Sequence, residues 1–288
     1  WGDSGYGGDS SIVSSSISSG VTTISSTWKA FAAIKAGGSV VTWGDSNSGG
    51  DSSSVSSSIS SGVTEIYSTR HAFAAVKSAA VICWGPSGNG GDCSGVTISG
   101  NVVSMASNEY AFAALTNGGD VVTWGDSNNG GSIGSSISEV TEIYSTQNAF
   151  AALKNDKSVI TWGYGGYGGD AGSLILENII SLTTTEYAMA ALTTENKVLT
   201  WGDSGHGACG SACNSLTGVM GIYSTRSAMA ALLGDGSVFC WGHDDYGADP
   251  PSDLGQAVAI FSNERAFAAL KANGDLITWG DSSYGGGL

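Results

Sequence analysis

An all-β chain folded as a seven-bladed β-propeller is what this 288-residue sequence predicts, and two periodicities carry the prediction. The pentad Ala-Phe-Ala-Ala-Ile at Ala30 returns in related form at Ala72, Ala111, Ala149, Ala188, Ala228 and Ala266, spaced 38 to 42 residues apart. Trp-Gly returns in step at Trp1, Trp43, Trp84, Trp124, Trp162, Trp201, Trp241 and Trp279. A fixed period of this size marks a repeat architecture, in which no unit buries a core alone and neighbours must stack. An open repeat array is the alternative to a closed ring. Seven pentads accompany eight Trp-Gly loops, so a ring carries one loop too many: either its ends overlap at a seam or the chain is a slice of a longer array. Residues 1–288 then form a single domain of seven repeats, expected to be a segment of a longer or processed protein because it opens in mid-repeat.

Within the repeat from Val63 to Asp92, the segment Val63-Thr-Glu-Ile66-Tyr-Ser-Thr69 is rich in β-branched residues among polar ones and predicts a strand. Ala72-Phe-Ala-Ala-Val76 is a short apolar run that suits a strand buried on both faces, with Ala letting neighbouring sheets approach. Ala, Leu and Lys also favour helix. Each run, however, lasts only about six residues between turn signals, short of a typical helix. A turn follows at 78–80, replaced elsewhere by Asn-Gly-Gly-Asp (117–120) or Gly-Asp-Gly (234–236), and Val81-Ile-Cys-Trp84 is the return strand. The Ser-rich segment Ser52 to Gly62 carries Val55 and Ile59, and matching places carry Ile98, Ile137 and Leu176. It predicts an outermost, exposed fourth strand whose Ser side chains keep the edge soluble.

Together these features resemble the regulator of chromosome condensation repeat family: an Ile followed by a small-residue turn, an apolar run, a Gly-containing hairpin, then Val-x-x-Trp-Gly and a Gly-rich loop. The resemblance covers the whole chain and implies that family's seven-bladed propeller. There are departures: a His before the apolar run survives only as His71, and the family's Gly-Gln-Leu-Gly loop has become Gly49-Gly50-Asp51-Ser52 or similar. The family's nucleotide-exchange activity rests on features outside the shared motifs and does not carry over.

Only 12% of the residues are charged, yet acids outnumber bases 25 to 10, a net charge of −15. That balance disfavours nucleic acid and anionic lipid, and suits a basic partner or a cation. No apolar run approaches the roughly 20 residues needed to span a bilayer as a helix. Five cysteines suggest two disulfides and one free thiol in an oxidising compartment, with Cys83 and Cys93 flanking one loop, Cys209 and Cys213 sharing another, and Cys240 left over. Zinc on His206, Cys209 and Cys213 is the rival, with one ligand too few.

The Trp of each Trp-Gly could stack on a sugar, but its fixed slot predicts core packing between blades. Asp45, Asn47 and Asp51 form a calcium candidate with oxygens at alternate positions; Asx-turns are the simpler account of these loops. The functional hint is a contrast between copies. Between the small-residue turn and the apolar run, two positions change in every repeat: Trp28-Lys29, Arg70-His71, Glu109-Tyr110, Gln147-Asn148, Glu186-Tyr187, Arg226-Ser227 and Glu264-Arg265. Equivalent positions in stacked blades form a row on one face, and this mixture of aromatic and charged residues resembles a recognition surface; the bland account is drift in an exposed turn. The three histidines lie in different repeats and no catalytic constellation emerges. The expected function is a non-enzymatic, extracellular module or scaffold that binds a protein or glycan. The alternatives are a subunit of a filament or cell-surface assembly, partnered by copies of itself, and a signalling regulator of the exchange-factor type.

Overall fold

Every pentad forms the middle strand of a three-stranded antiparallel sheet, flanked by the strand before it and the strand ending in Trp-Gly. In the first blade these are β1 (Val21–Ser26), β2 (Ala30–Lys35) and β3 (Val40–Gly44). The middle strands of the others are Phe73–Lys77, Ala111–Thr116, Ala149–Lys154, Ala188–Thr193, Ala228–Leu233 and Ala266–Lys271. This computed structural model describes residues 2–78, 80–252 and 254–287, and the backbone alone of Ser211 and Asn214; Trp1 and Ala79 of the sequence motifs lie outside them. The seven antiparallel sheets match the blade set of a seven-bladed β-propeller, with all strands consecutive in sequence. The chain divides into two units, Trp1–Ile143 and Tyr144–Leu288, and the packing below is that within each.

Consecutive blades pack face to face. The first, third and fifth positions of one pentad, such as Ala72, Ala74 and Val76, meet an apolar set from the next blade: Val102, Met105, Phe112, Ala114 and Trp124. The same pattern joins Ala190, Leu192 and Val198 to Val219, Ile222, Met229 and Trp241, and joins Ala228, Ala230 and Leu232 to Ala257, Ile260, Phe267 and Trp279. Ala on the covered side explains the close approach. The Phe and Trp of one blade face each other across neighbouring strands and stack, as in Phe112–Trp124 at 5.2 Å between centroids and 24°. The Trp residues from Trp84 onward are 2–6% exposed and so serve the core. A bulge in the first strand, at Ile179/Ser181 and Ala257/Ala259 for example, has a clear use. Residues three apart would otherwise point to opposite faces; with the extra residue, Ile179 and Leu182 are buried together, as are Ala257 and Ile260.

The predicted fourth strand does not form. Ser52 to Gly62 runs as 3-10 turns and irregular chain. Its backbone meets the sheet where Val40 N–H donates to the Ile59 carbonyl at 3.0 Å, Ser52 and Ser58 add bonds to the Thr42 and Lys77 side chains, and Ile59 is buried. Val121 to Ile137 and Val159 to Leu176 repeat the arrangement. A single apolar anchor among serines supplies one bridge per copy, too little to order a ladder.

The additional Trp-Gly loop has a definite place. Each loop is tied to its own blade by the turn residue before the variable pair. Thr185 Oγ1 accepts the Ala188 N–H and donates to the His206 carbonyl at 2.7 Å, and Asn263 uses its amide in the same way on Tyr284. Within each unit the loop is tied to the next blade by an indole: Trp84 Nε1 donates to the Gly49 carbonyl, Trp124 to Gly90, Trp201 to Gly168, Trp241 to Gly207 and Trp279 to Gly247. The leading loop, residues 2–8, fills this role for the first blade, where Trp43 Nε1 donates to Gly7 at 3.0 Å.

Both expected disulfides are present, Cys83–Cys93 and Cys209–Cys213, with Cys240 free. The second bond takes both thiolates that zinc would need, so the zinc reading falls. Burial pushes the Cys240 thiol up to about 12, so it is an unreactive core group at neutral pH. Cys83–Cys93 closes the loop after the second blade with a sequence separation of 10. Replacing both with Ser is expected to cost about 2–3 kcal/mol by chain entropy, read as a fall in the urea midpoint. A loss too small to measure would contradict that account.

Candidate functional site

The variable pairs occupy the turn between the first and middle strands of each blade, where within each unit they form two rows. The first residue of each pair carries a backbone chain that crosses blades. Trp28 N–H donates to the Arg70 carbonyl at 2.9 Å, and Arg70 N–H to Glu109 at 3.2 Å; in the second unit, Gln147 donates to Glu186, Glu186 to Arg226 and Arg226 to Glu264 at 2.8–3.0 Å. The side chains of this row pair along the same line, in both directions. Both carboxylate oxygens of Glu109 accept from Arg70 Nη1, and the Arg70 guanidinium lies 4.5 Å from the Trp28 ring centroid. Arg226 donates through Nε to Glu186 at 2.7 Å and through Nη1 to Glu264 at 3.3 Å. The hydrogen bond it donates to Glu186 raises the Arg226 pKa further above its ordinary value.

The second residue of each pair meets the loop that follows Trp-Gly. Its carbonyl accepts a loop N–H, as Lys29 does from Asp45, Asn148 from Tyr164 and Tyr187 from Asp203. Its side chain faces the residue five places after Trp. Lys29 lies over the rings of Tyr6 and Trp28, at 4.8 and 4.5 Å, and Trp28 also meets Tyr6 and His71 edge-on. In the second unit, a chain of rings at 4.8–5.7 Å runs Tyr164, Tyr167, Tyr187, His206, His243, Tyr246. It ends with Arg265 over Tyr246 and Tyr284. Burial pushes the Tyr187 hydroxyl up, and burial followed by the Arg70 charge pushes the His71 imidazole down, so His71 stays neutral at pH 7. His71 Nδ1 hydrogen-bonds Ser48 Oγ at 3.1 Å.

A turn that merely tolerates change would leave these side chains in solvent. Instead most are half-buried, and Trp28, Lys29, Arg70, His71, Glu109, Glu186, Tyr187, Arg226, Glu264 and Arg265 pair with a neighbour; Trp28 and Glu264 are the exposed members. Ser227 is a correction: it is 2% exposed and offers no surface. Sequence reasoning also missed the loop partners Tyr6, Tyr167, His206, Tyr246 and Tyr284. Their signal is a fixed offset of five from Trp, where other copies carry Ser48, Asn89 and Asn129. Nor did it anticipate that His206 and His243, 37 residues apart, lie in contact.

At the calcium candidate, a carboxylate oxygen of Asp51 accepts the Ser53 N–H at 2.9 Å, and the Asp45 carbonyl accepts from Ser48 and Gly50. Asp9, Asp92 and Asp170 close the same Asx-turn. Among the described residues, no group of three or more His, Cys, Asp or Glu side chains stands close enough to hold a metal ion.

No protein-family model matches the sequence, and no curated protein does. Solved structures similar to it include the CRINKLY WD40 ectodomain of the Arabidopsis thaliana receptor kinase ACR4, at 15% identity and TM-score 0.43, covering 88% of this chain and 93% of that one. Yeast RCC1 (Prp20), solved with Kap60, aligns at 15% identity and TM-score 0.47 over 92% of this chain and 70% of that one. Human WBSCR16 aligns at 19% identity and TM-score 0.44 over 64% and 63%. The fold assignment rests on the chain's own seven sheets.

Proposed function

We propose that this chain is a non-enzymatic recognition module that binds a protein partner along the two rows of variable side chains, in an extracellular or other oxidising setting. One observation carries the reading: within each unit a uniform scaffold holds the first residues of the pairs in register, Trp28, Arg70 and Glu109 in one and Gln147, Glu186, Arg226 and Glu264 in the other, and the residues that differ between blades are the ones aligned. A row of half-buried aromatic and Arg groups with paired acids is the composition of a binding hot region. The excess of acids over bases favours a partner with a basic face, which it would attract from a distance. The two disulfides favour the oxidising setting.

A second reading, glycan binding, is favoured by the ring chain from Tyr164 to Tyr246, since aromatic surfaces stack on sugar faces. One experiment separates the two. The native chain and a variant with Arg70, Glu109, Glu186, Arg226 and Glu264 all changed to Ser are presented to a basic-peptide array and to a glycan array. Ion pairs that keep this much contact with solvent contribute only about 0–1 kcal/mol each, so the variant is expected to fold, as circular dichroism would verify. Peptide binding that falls tenfold or more in the variant supports the protein reading. Glycan binding that persists in the variant but is lost in Tyr187→Ala supports the second. Binding to neither array by the native chain sinks both.

A further inference from the structure

Where the second residue of a variable pair is Lys or Arg, its charge lies on a loop ring. Lys29 Nζ stands 4.8 Å from the ring centroid of Tyr6, and the Arg265 guanidinium stands 5.2 Å from Tyr246 and 4.7 Å from Tyr284. At these distances the negative face of the ring attracts the cation.

The middle of the second unit has the rings without the cation. Its pairs are Glu186-Tyr187 and Arg226-Ser227, so the second position supplies a further ring and a buried Ser. Tyr167 meets Tyr187 at 4.9 Å and 72°, and Tyr187 meets His206 at 4.8 Å and 60°. Among the described residues no Lys or Arg lies over Tyr167 or Tyr187. Arg226, in the adjoining turn, gives Nε to Glu186 and Nη1 to Glu264 instead. Tyr167 and Tyr187 are half-buried, and each keeps part of its ring in solvent. An edge-on contact engages one face of one ring and the rim of the other, so it leaves ring surface for a further neighbour.

Acids stand at the same place. Glu186 precedes Tyr187, and Asp203 N–H donates to the Tyr187 carbonyl at 2.9 Å, which sets the Asp203 side chain beside this turn. Asp203 Oδ1 is held by the Gly205 N–H and by His206 Nδ1, both at 2.8 Å. Glu186, Asp203 and Glu264 thus set three carboxylates against the single guanidinium of Arg226, and negative charge remains after the internal pairing.

We propose that Tyr167 and Tyr187 receive a Lys or Arg side chain of the protein partner, which supplies from outside the cation that Lys29 and Arg265 supply from within the chain. The proposal rests on the recognition reading above and names the chemistry of one contact in it. Complementary charge selects the occupant: the remaining carboxylates draw a cation to the rings, whereas a neutral sugar is not drawn by them.

The probe is a short fluorescein-labelled peptide of alternating Gly and Arg, paired with one that carries citrulline, a neutral isostere, at every Arg. Anisotropy titrations compare the native chain, Tyr167→Leu with Tyr187→Leu, and Tyr167→Phe with Tyr187→Phe. The Leu variant removes both rings without changing the charge of the chain, and the Phe variant keeps them. The Leu variant is expected to bind the Arg peptide about five- to thirtyfold more weakly than the native chain, and the Phe variant within about twofold of it. Transfer of magnetisation between Tyr ring protons and the Arg Cδ protons tests the same contact on the native chain, with no variant to fold. Equal binding by the native and Leu chains, or no such transfer, overturns the proposal and leaves the recognition reading standing, since the five-Ser variant tests that separately. A native chain that binds the Arg peptide no better than the citrulline peptide overturns the proposal and the basic partner with it.

Discussion

Trp84→Ala is expected to destabilise the first unit by about 3–5 kcal/mol, the cost of removing a fully buried indole and leaving a cavity. Trp84 is 2% exposed, stacks on Phe73 at 5.2 Å, and packs against Ala30, Ala32, Ile34 and Ile59 of the preceding blade and its loop. Its Nε1 also donates to the Gly49 carbonyl at 2.9 Å, so the truncation strands a buried acceptor. In a repeat protein, stability is approximately a sum of repeat and neighbour terms, and losing one junction weakens the blades on either side of it. The loss is therefore expected to appear first as faster hydrogen exchange in β2 and in the middle strand of the second blade, before any global change. Trp84→Phe keeps ring area and loses the hydrogen bond, so it should cost markedly less. Urea unfolding of the three proteins checks the order; an Ala variant within 1 kcal/mol of the native chain would mean that the indole is not a junction residue.

The repeat was legible because its strongest constraints are local. Ala72 to Val76 must be buried on both sides, and no periodicity but a buried strand fits so short a run. Trp at a fixed offset must pack at a fixed place. The two disulfides were legible because each pair flanks or shares one loop. The fourth strand was misread because Ile59 looks like one half of an alternating pattern, whereas it is an apolar anchor whose carbonyl accepts from Val40 without a ladder following. The first-strand bulge was not read from the sequence, although Ile179 and Leu182, three apart and both apolar, hold the signal for it. At the candidate site, the variable pairs stood out by contrast between copies. Their loop partners did not, because Tyr167 and Tyr187 meet only through the spacing of blades, a tertiary quantity. The contact between His206 and His243 is invisible in sequence for the same reason. Ser227 was misplaced because its two-residue frame implied an exposure that the packed turn does not provide.

Gly90→Ala is the second large effect, expected at about 2–4 kcal/mol. Gly90 has φ +88°, a conformation that costs an L-residue roughly 1–2 kcal/mol. A Cβ there would lie 2.6 Å from Phe112 Cδ2 and 2.8 Å from Cε2. Phe112 cannot give way: it is 0% exposed and stacked on Trp124 at 5.2 Å. Overpacking of this kind costs about 1–3 kcal/mol. If the loop moves instead, the Gly90 carbonyl leaves Trp124 Nε1, now at 3.2 Å, and the junction between the second and third blades loses its tie. Gly88, two residues earlier in the same loop, is the matched control. It has no atom within 4 Å of its Cβ position and no left-handed φ, so Gly88→Ala is expected to stay within about 0.5 kcal/mol of the native chain. Thermal and urea unfolding of both variants measure the difference. Equal effects from the two substitutions would show that the loop does not seat on the next blade through Gly90, and that the ties between blades lie elsewhere.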